Sequence, residues 1–290
     1  MKPAEFRYHR PAGTADAARL LNSLGDDAKV IAGGQSLLPI MNMRLATPEH
    51  IVDITGITEL RETKRGSSGM RYGATTTHMM FEHQLVPDVT GGLLCHAAAG
   101  IGYRAIRNRG TVGGSLAHSD PSAEWPTVMA ALDAAVHAVS VRGVRRIPVR
   151  ELLLGFFSTE LEPDELIVDV EVPQLPPGTC WGMHKTARKP GEFADSLAVV
   201  LVKPDTGGRV REPQLWLGAA TGTPTRLAGT ERLVDGLAFD DQAPADLVGP
   251  VATDIGIDPG GTDPTARHAL QLHAVTVNRA LLAVKETSRP

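Results

Sequence analysis

Residues 29–44, KVIAGGQSLLPIMNMR, join a short β-branched run to a glycine pair and then to apolar residues at helical spacing. The pattern predicts a strand, a tight turn and a helix, with Pro39 tolerated near the helix start. Gly33 and Gly34 let the backbone turn sharply and expose N–H groups to an anion, so a phosphate is one reading of the turn. A plain connecting turn is the other, and this segment alone leaves both open. A second stretch, RNRGTVGGS at 107–115, repeats the chemistry in what reads as a glycine-bearing loop. In it Thr111, Val112, Gly113, Gly114 and Ser115 place a hydroxyl at each end and no side chain on the central pair. Two such loops would clamp a pyrophosphate from both sides. Neither fits GxGxxG or GxxxxGK[ST], which disfavours the doubly wound nucleotide fold and the P-loop.

Outward from these segments the chain reads as mixed α and β. ADAARLLNSL at 15–24 predicts a helix stopped by Gly25, HIVDI at 50–54 and MRYGA at 70–74 predict strands, and 77–85 a helix. Residues 91–109, rich in small side chains, read as helix, and DPSAEWP opens another that runs to Leu132. A hairpin around Gly143 (134–149), a short helix at ELLLGFF and a strand ELIVDVEVP ended by Pro173 follow. QLPPGTC then punctuates a domain boundary. Beyond it WGMHKTAR, SLAVVLVK and PQLWLGAAT read as three strands, ERLVDGL as a short helix, 254–264 as an exposed loop and 266–286 as a long helix. Strands followed by helices imply a small second domain.

The 290 residues suffice for two domains, and 42% hydrophobic with 21% charged residues is an ordinary globular composition. The net charge of -4 carries no basic excess for nucleic acid. MKPAEFRYHRPAG has no apolar signal core, and no apolar run approaches the roughly 18 to 20 residues that span a bilayer, so no transmembrane segment is expected and the cytoplasm is the default compartment. Cys95 and Cys180 stand far apart and predict two reduced thiols. An iron–sulfur cluster takes about four thiolates, so this chain cannot hold one alone. His78, His83 and His118 show no ligand spacing, and no metal is assigned to them.

AGGQSLLPIMNMRLATPEHIVDI, followed by AIRNRGTVGGSLAHSDPSAEWPTVMAALDA, LEPDELIVDVEVP and WGMHKTARKPGEFADSLAVVLV in the same order, resembles the FAD-binding medium subunit of the carbon monoxide dehydrogenase and xanthine dehydrogenase family of molybdenum hydroxylases. The resemblance implies an α+β chain. A two-subdomain FAD-binding fold of the vanillyl-alcohol-oxidase type spans 1–175, and a C-terminal domain with a three-stranded sheet spans 178–288. It implies noncovalent FAD with its pyrophosphate on two loops, Ala32, Gly33, Gly34, Gln35, Ser36 and Leu37 on one side and Thr111, Gly113, Gly114 and Ser115 on the other. Backbone N–H groups of Gly33, Gly34, Gln35, Gly113 and Gly114 would donate. Gln35 departs from a frequent histidine and Ser115 from a frequent asparagine.

The resemblance further implies that Glu124 accepts from sugar hydroxyls, a role that suits a carboxylate. Asp120 is either such an acceptor or a helix N-cap. Ile167 would pack on the isoalloxazine, or else be a plain core residue. Lys185 would lie on the flavin's polar side, or else be a solvated lysine. Ile101 is read as a ring cover or a core contact, and Arg107 and Arg109 as a basic patch or a solvated face. No catalytic residue is assigned. The implied partners are a molybdopterin-binding large subunit and a 2Fe-2S small subunit in a dimer of heterotrimers, with an external electron acceptor; any membrane association would come through that complex. Two alternatives are a self-sufficient flavin oxidase of the same fold and a scaffold subunit that has lost FAD.

Overall fold

The structure, a computed structural model, describes residues 2–238 and 246–287; Ser288, the expected end of the second domain, lies outside the described residues. Strands β1 (Arg7–His9), β2 (Ala28–Ile31) and β3 (His50–Asp53) form a parallel sheet in the order β1-β3-β2. The helix Thr14–Leu24 buries Ala17 and Leu21 in a core shared with Val52, Ile54, Ile57 and Leu60. The next sheet is antiparallel. It contains β4 (Thr63–Arg65), β5 (Gly69–Gly73), β6 (Ala135–Ser140) and β7 (Gly143–Pro148). After a small hairpin of β8 (Leu153–Gly155) and β9 (Ser158–Thr159), β10 (Leu166–Pro173) enters this sheet between β5 and β6, giving the order β4-β5-β10-β6-β7.

Past the Pro-rich punctuation, β11 (Cys180–Thr186), β12 (Ser196–Val202) and β13 (Gln214–Gly218) are the expected three strands; they pair antiparallel, and a two-residue β14 (Thr225–Arg226) is added at the edge. Every residue of β12 is buried, because the helix Pro264–Thr287 covers one face of this sheet and the helix Glu124–Ala131 the other. Burial on both faces explains why SLAVVLV reads as a continuous apolar run rather than an alternating one. The same sandwiching carries the largest core across the boundary. Trp125, Leu116 and Met129 of the first part share it with Met183, Leu197 and Val199 of the second, so the break near residue 175 separates sheets, not cores.

Four local expectations are corrected. Residues 91–109 hold two short helices, Leu93–Ala99 and Arg104–Arg107, interrupted at Gly102, whose φ of 48° breaks the helical path. ELLLGFF is helical only to Leu152; Leu153 enters β8, and Phe157, at φ 53°, turns the hairpin. A helix at Val248–Ile255 runs into the segment expected to be loop. RNRGTVGGS is not a loop at its glycine pair: the helix Val112–His118 begins there, with Thr111 as its N-cap. Val112 and Leu116, four apart and buried, anchor that helix to the core, which overrides the poor helix propensity of the two glycines.

Candidate functional site

The turn after β2 lies directly against the segment that leads into the second glycine pair. A Cβ on Gly33 would fall 2.2 Å from the Arg109 carbonyl oxygen and 2.8 Å from Gly110 Cα, so only glycine permits this contact. Gly34, at φ 72°, reverses the chain, and the Leu38 N–H to Gly34 carbonyl bond of 3.2 Å opens the following helix. The Gln35 side chain folds back, its amide donating to the Gly33 carbonyl at 3.0 Å. Among the described residues, the N–H groups of Gly34, Gln35, Ser36 and Leu37 have no partner within the chain. Successive open donors at a helix start form a concave anion cradle.

The second segment contributes differently from expectation. Gly113 N–H already donates to the Ala74 carbonyl at 3.0 Å, and Gly114 N–H to the capping Thr111 Oγ1 at 3.1 Å. Expected as phosphate donors, both are satisfied by the chain itself, because the segment is a capped helix start rather than an open loop. Its glycines serve proximity instead. A Cβ on Gly113 would sit 2.6 Å from the Ala74 Cβ, and one on Gly114 3.7 Å from the Ala32 Cβ. Both glycine segments therefore meet side by side, with the open backbone donors on the first and the hydroxyls of Thr111 and Ser115 on the second.

Glu124 and Lys185, far apart in sequence, are brought together. Lys185 Nζ lies 2.6 Å from Glu124 Oε1 and donates also to the Gly100 carbonyl at 3.1 Å. The Glu124 side chain is 4% exposed and that of Lys185 15%, so the pair is held out of water between the first helix turn and β11. Burial pushes the Glu124 carboxyl up, while the Lys185 ammonium opposes that rise. Lys185 is thus not a solvated lysine; two of its donors are committed to the protein.

Asp120 is not the N-cap of the following helix, a position held by Ala123; its Oδ1 accepts from Ser122 N–H at 2.9 Å in the turn just before. Ile167 is a buried residue of β10 beside the register shift facing β6, and Ile101 packs partly buried on the same core. Arg107 is no surface patch. Its guanidinium grips Glu82 at 2.7 and 2.8 Å and donates to the carbonyls of Ile101 and Gly102, while Arg109 is exposed. Both cysteines are free thiols, and no cluster of metal-ligating side chains occurs among the described residues.

His78 is the residue that sequence reasoning passed over. It is buried, accepts the Trp125 indole N–H at Nδ1 over 3.0 Å, and burial, aided by the Arg107 charge, pushes its pKa down to about 3. A histidine kept neutral in the fold down to about pH 3 but protonated below about pH 6.5 in the unfolded chain lowers stability as pH falls from about 6.5, by roughly 1.4 kcal/mol per unit. Chemical denaturation between pH 7 and 4 is expected to show that slope, and His78→Asn to reduce it.

The FAD binding domain in molybdopterin dehydrogenase matches residues 4–175. The chain is 37% identical to the 6-hydroxypseudooxynicotine dehydrogenase complex subunit alpha of Paenarthrobacter nicotinovorans, over 100% of this chain and 98% of that protein. This chain belongs to the FAD-binding medium subunits of the molybdenum hydroxylase family. It is also similar to the nicotine 6-hydroxylase medium subunit of the same organism, at 41% identity over 81% of this chain and 82% of the relative. In structure, this medium subunit superposes with a TM-score of 0.88 on carbon monoxide dehydrogenase from Hydrogenophaga pseudoflava, at 34% identity and 99% coverage of both chains. No helix among its described residues is long and apolar enough to cross a membrane.

Proposed function

We propose that this medium subunit is the electron-transfer component of its complex, taking electrons from a separate 2Fe-2S small subunit and passing them to an external acceptor. The molybdopterin chemistry on the organic substrate lies with a large subunit, in a dimer of heterotrimers. One observation carries the reading: the backbone contact of Gly33 with Arg109 and Gly110, which sets open N–H donors beside the Thr111 helix start.

The residues fit a dinucleotide diphosphate held without a covalent bond. Gly33 permits the approach, Gly34, Gln35, Ser36 and Leu37 supply backbone donors, and Thr111 and Ser115 supply hydroxyls, with Ala32, Gly113 and Gly114 keeping the facing surfaces bare. Glu124 has Oε1 committed to Lys185, which leaves Oε2 to accept from a sugar hydroxyl. Lys185 keeps one N–H free and would bring a cation to the flavin's polar side, Ile167 would pack on the ring from β10, and Asp120 shapes the turn that leads into Glu124. FAD, when bound, supplies the exchange between single-electron and two-electron carriers.

The purified full chain, titrated with FAD and followed by flavin absorbance and fluorescence quenching, is expected to bind about one equivalent. Co-expression with a molybdopterin subunit and a 2Fe-2S subunit is expected to yield one co-purifying complex. Absence of any flavin signal at saturation, together with failure to associate, rejects the proposal.

A further inference from the structure

The buried imidazole of His78 takes no part in the function proposed above, yet it lies one layer behind the contact on which that function depends. Its backbone N–H donates to the Gly110 carbonyl at 3.0 Å, and Thr77 bridges Thr111, so the start of the helix His78–Glu82 is tied to both sides of the second segment. Its ring is fixed from behind by the Trp125 indole, which donates to Nδ1 at 3.0 Å. Trp125 is fully enclosed and packs on Phe81 with ring centroids 5.1 Å apart, so it cannot yield. Because Nδ1 is the acceptor, the proton of the neutral ring sits on Nε2.

On its other side the ring meets Gly110. A Cβ there would fall 2.6 Å from His78 Nε2 and 2.9 Å from Cδ2. Gly110 also meets the first turn, since a Cβ on Gly33 would lie 2.8 Å from Gly110 Cα. Trp125, His78, Gly110 and Gly33 thus form a chain of successive contacts.

We propose that His78 is a positioning residue of the dinucleotide site: its imidazole, braced by Trp125, wedges behind Gly110 and sets the spacing between the two segments that hold the diphosphate. The inference rests on the reading of those segments as the FAD site. It also explains why glycine stands at 110, where no positive φ requires it.

The test is a suppressor experiment in the full chain, read by FAD titration and by thermal melting of the FAD-free protein. Gly110→Ala forces a methyl group onto the imidazole and is expected to weaken FAD binding about tenfold to a hundredfold. His78→Asn keeps an acceptor for the Trp125 indole but removes Nε2 and Cε1. Alone it is expected to weaken FAD binding severalfold with little change in melting temperature. Combined with Gly110→Ala, it is expected to bind FAD more tightly than Gly110→Ala alone, because the methyl group gains room. A double variant no better than Gly110→Ala overturns the proposal, as does a His78→Asn protein that melts lower but binds FAD like the wild type. Should Gly110→Ala fail to fold, the split between affinity and melting in His78→Asn still decides. Failure of the wild-type chain to bind FAD would reject the site itself, a separate result.

Discussion

Lys185→Met is expected to destabilise the folded chain by about 3–5 kcal/mol at neutral pH, the cost of stranding one buried charge after removing its partner. The Glu124 side chain is 4% exposed, and Lys185 Nζ at 2.6 Å is the cation that opposes its desolvation. Without that cation the carboxyl, already pushed up by burial, rises further and takes a proton. A carboxyl raised above its unfolded value costs stability progressively as pH climbs past the unfolded pKa, so the deficit is expected to shrink on acidification toward pH 4. Replacing both partners, Lys185→Met with Glu124→Leu, removes the stranded charge and is expected to recover most of the loss. FAD binding should not recover with it, because the sugar-hydroxyl acceptor proposed at Glu124 Oε2 is gone. Urea denaturation of the single and double variants, paired with FAD titration, measures both effects. A single variant as stable as the wild type would show that the pair is dispensable to the junction between Glu124–Ala131 and β11.

The second large effect is expected at Gly33. Gly33→Ala drives a methyl group to 2.2 Å from the Arg109 carbonyl oxygen, and neither backbone can yield as a flexible side chain would. Overpacking of this kind costs roughly 1–3 kcal/mol, and here it is relieved most directly by separating the two glycine segments. Loss of FAD affinity by about tenfold to a hundredfold follows from 1.4 kcal/mol per factor of ten. Gly249→Ala is the matching control. That glycine lies in the helix Val248–Ile255 with open space around it, so alanine there is expected to stabilise by roughly 0.5–1 kcal/mol and leave FAD binding unchanged. Equal FAD affinity in Gly33→Ala and the wild type would remove the backbone contact from the account of the site.

These effects show where sequence reasoning reaches and where it stops. The β-branched run into Gly33 and Gly34, the hairpin about Gly143 and the long terminal helix were legible because their signals lie within a few residues of the chain. The order of motifs was enough to reveal the family resemblance. Other features needed partners distant in sequence. That Gly113 and Gly114 begin a helix depended on a core formed by Val112 and Leu116 with strands and helices elsewhere.

The sequence by itself therefore determined the alternation of elements, the two glycine pairs and the family to which they belong, all carried by local spacing and motif order. Tertiary structure alone decided which glycines turn the chain and which admit a neighbouring backbone: Gly34 serves its positive φ, whereas Gly33, Gly110 and Gly113 serve Arg109, His78 and Ala74. It also decided that Glu124 meets Lys185 and that Trp125 meets His78. The physical reason is range. Backbone propensity and periodicity act over one or two turns, while close approach and the neutralisation of a buried charge exist only once distant segments have packed and excluded water.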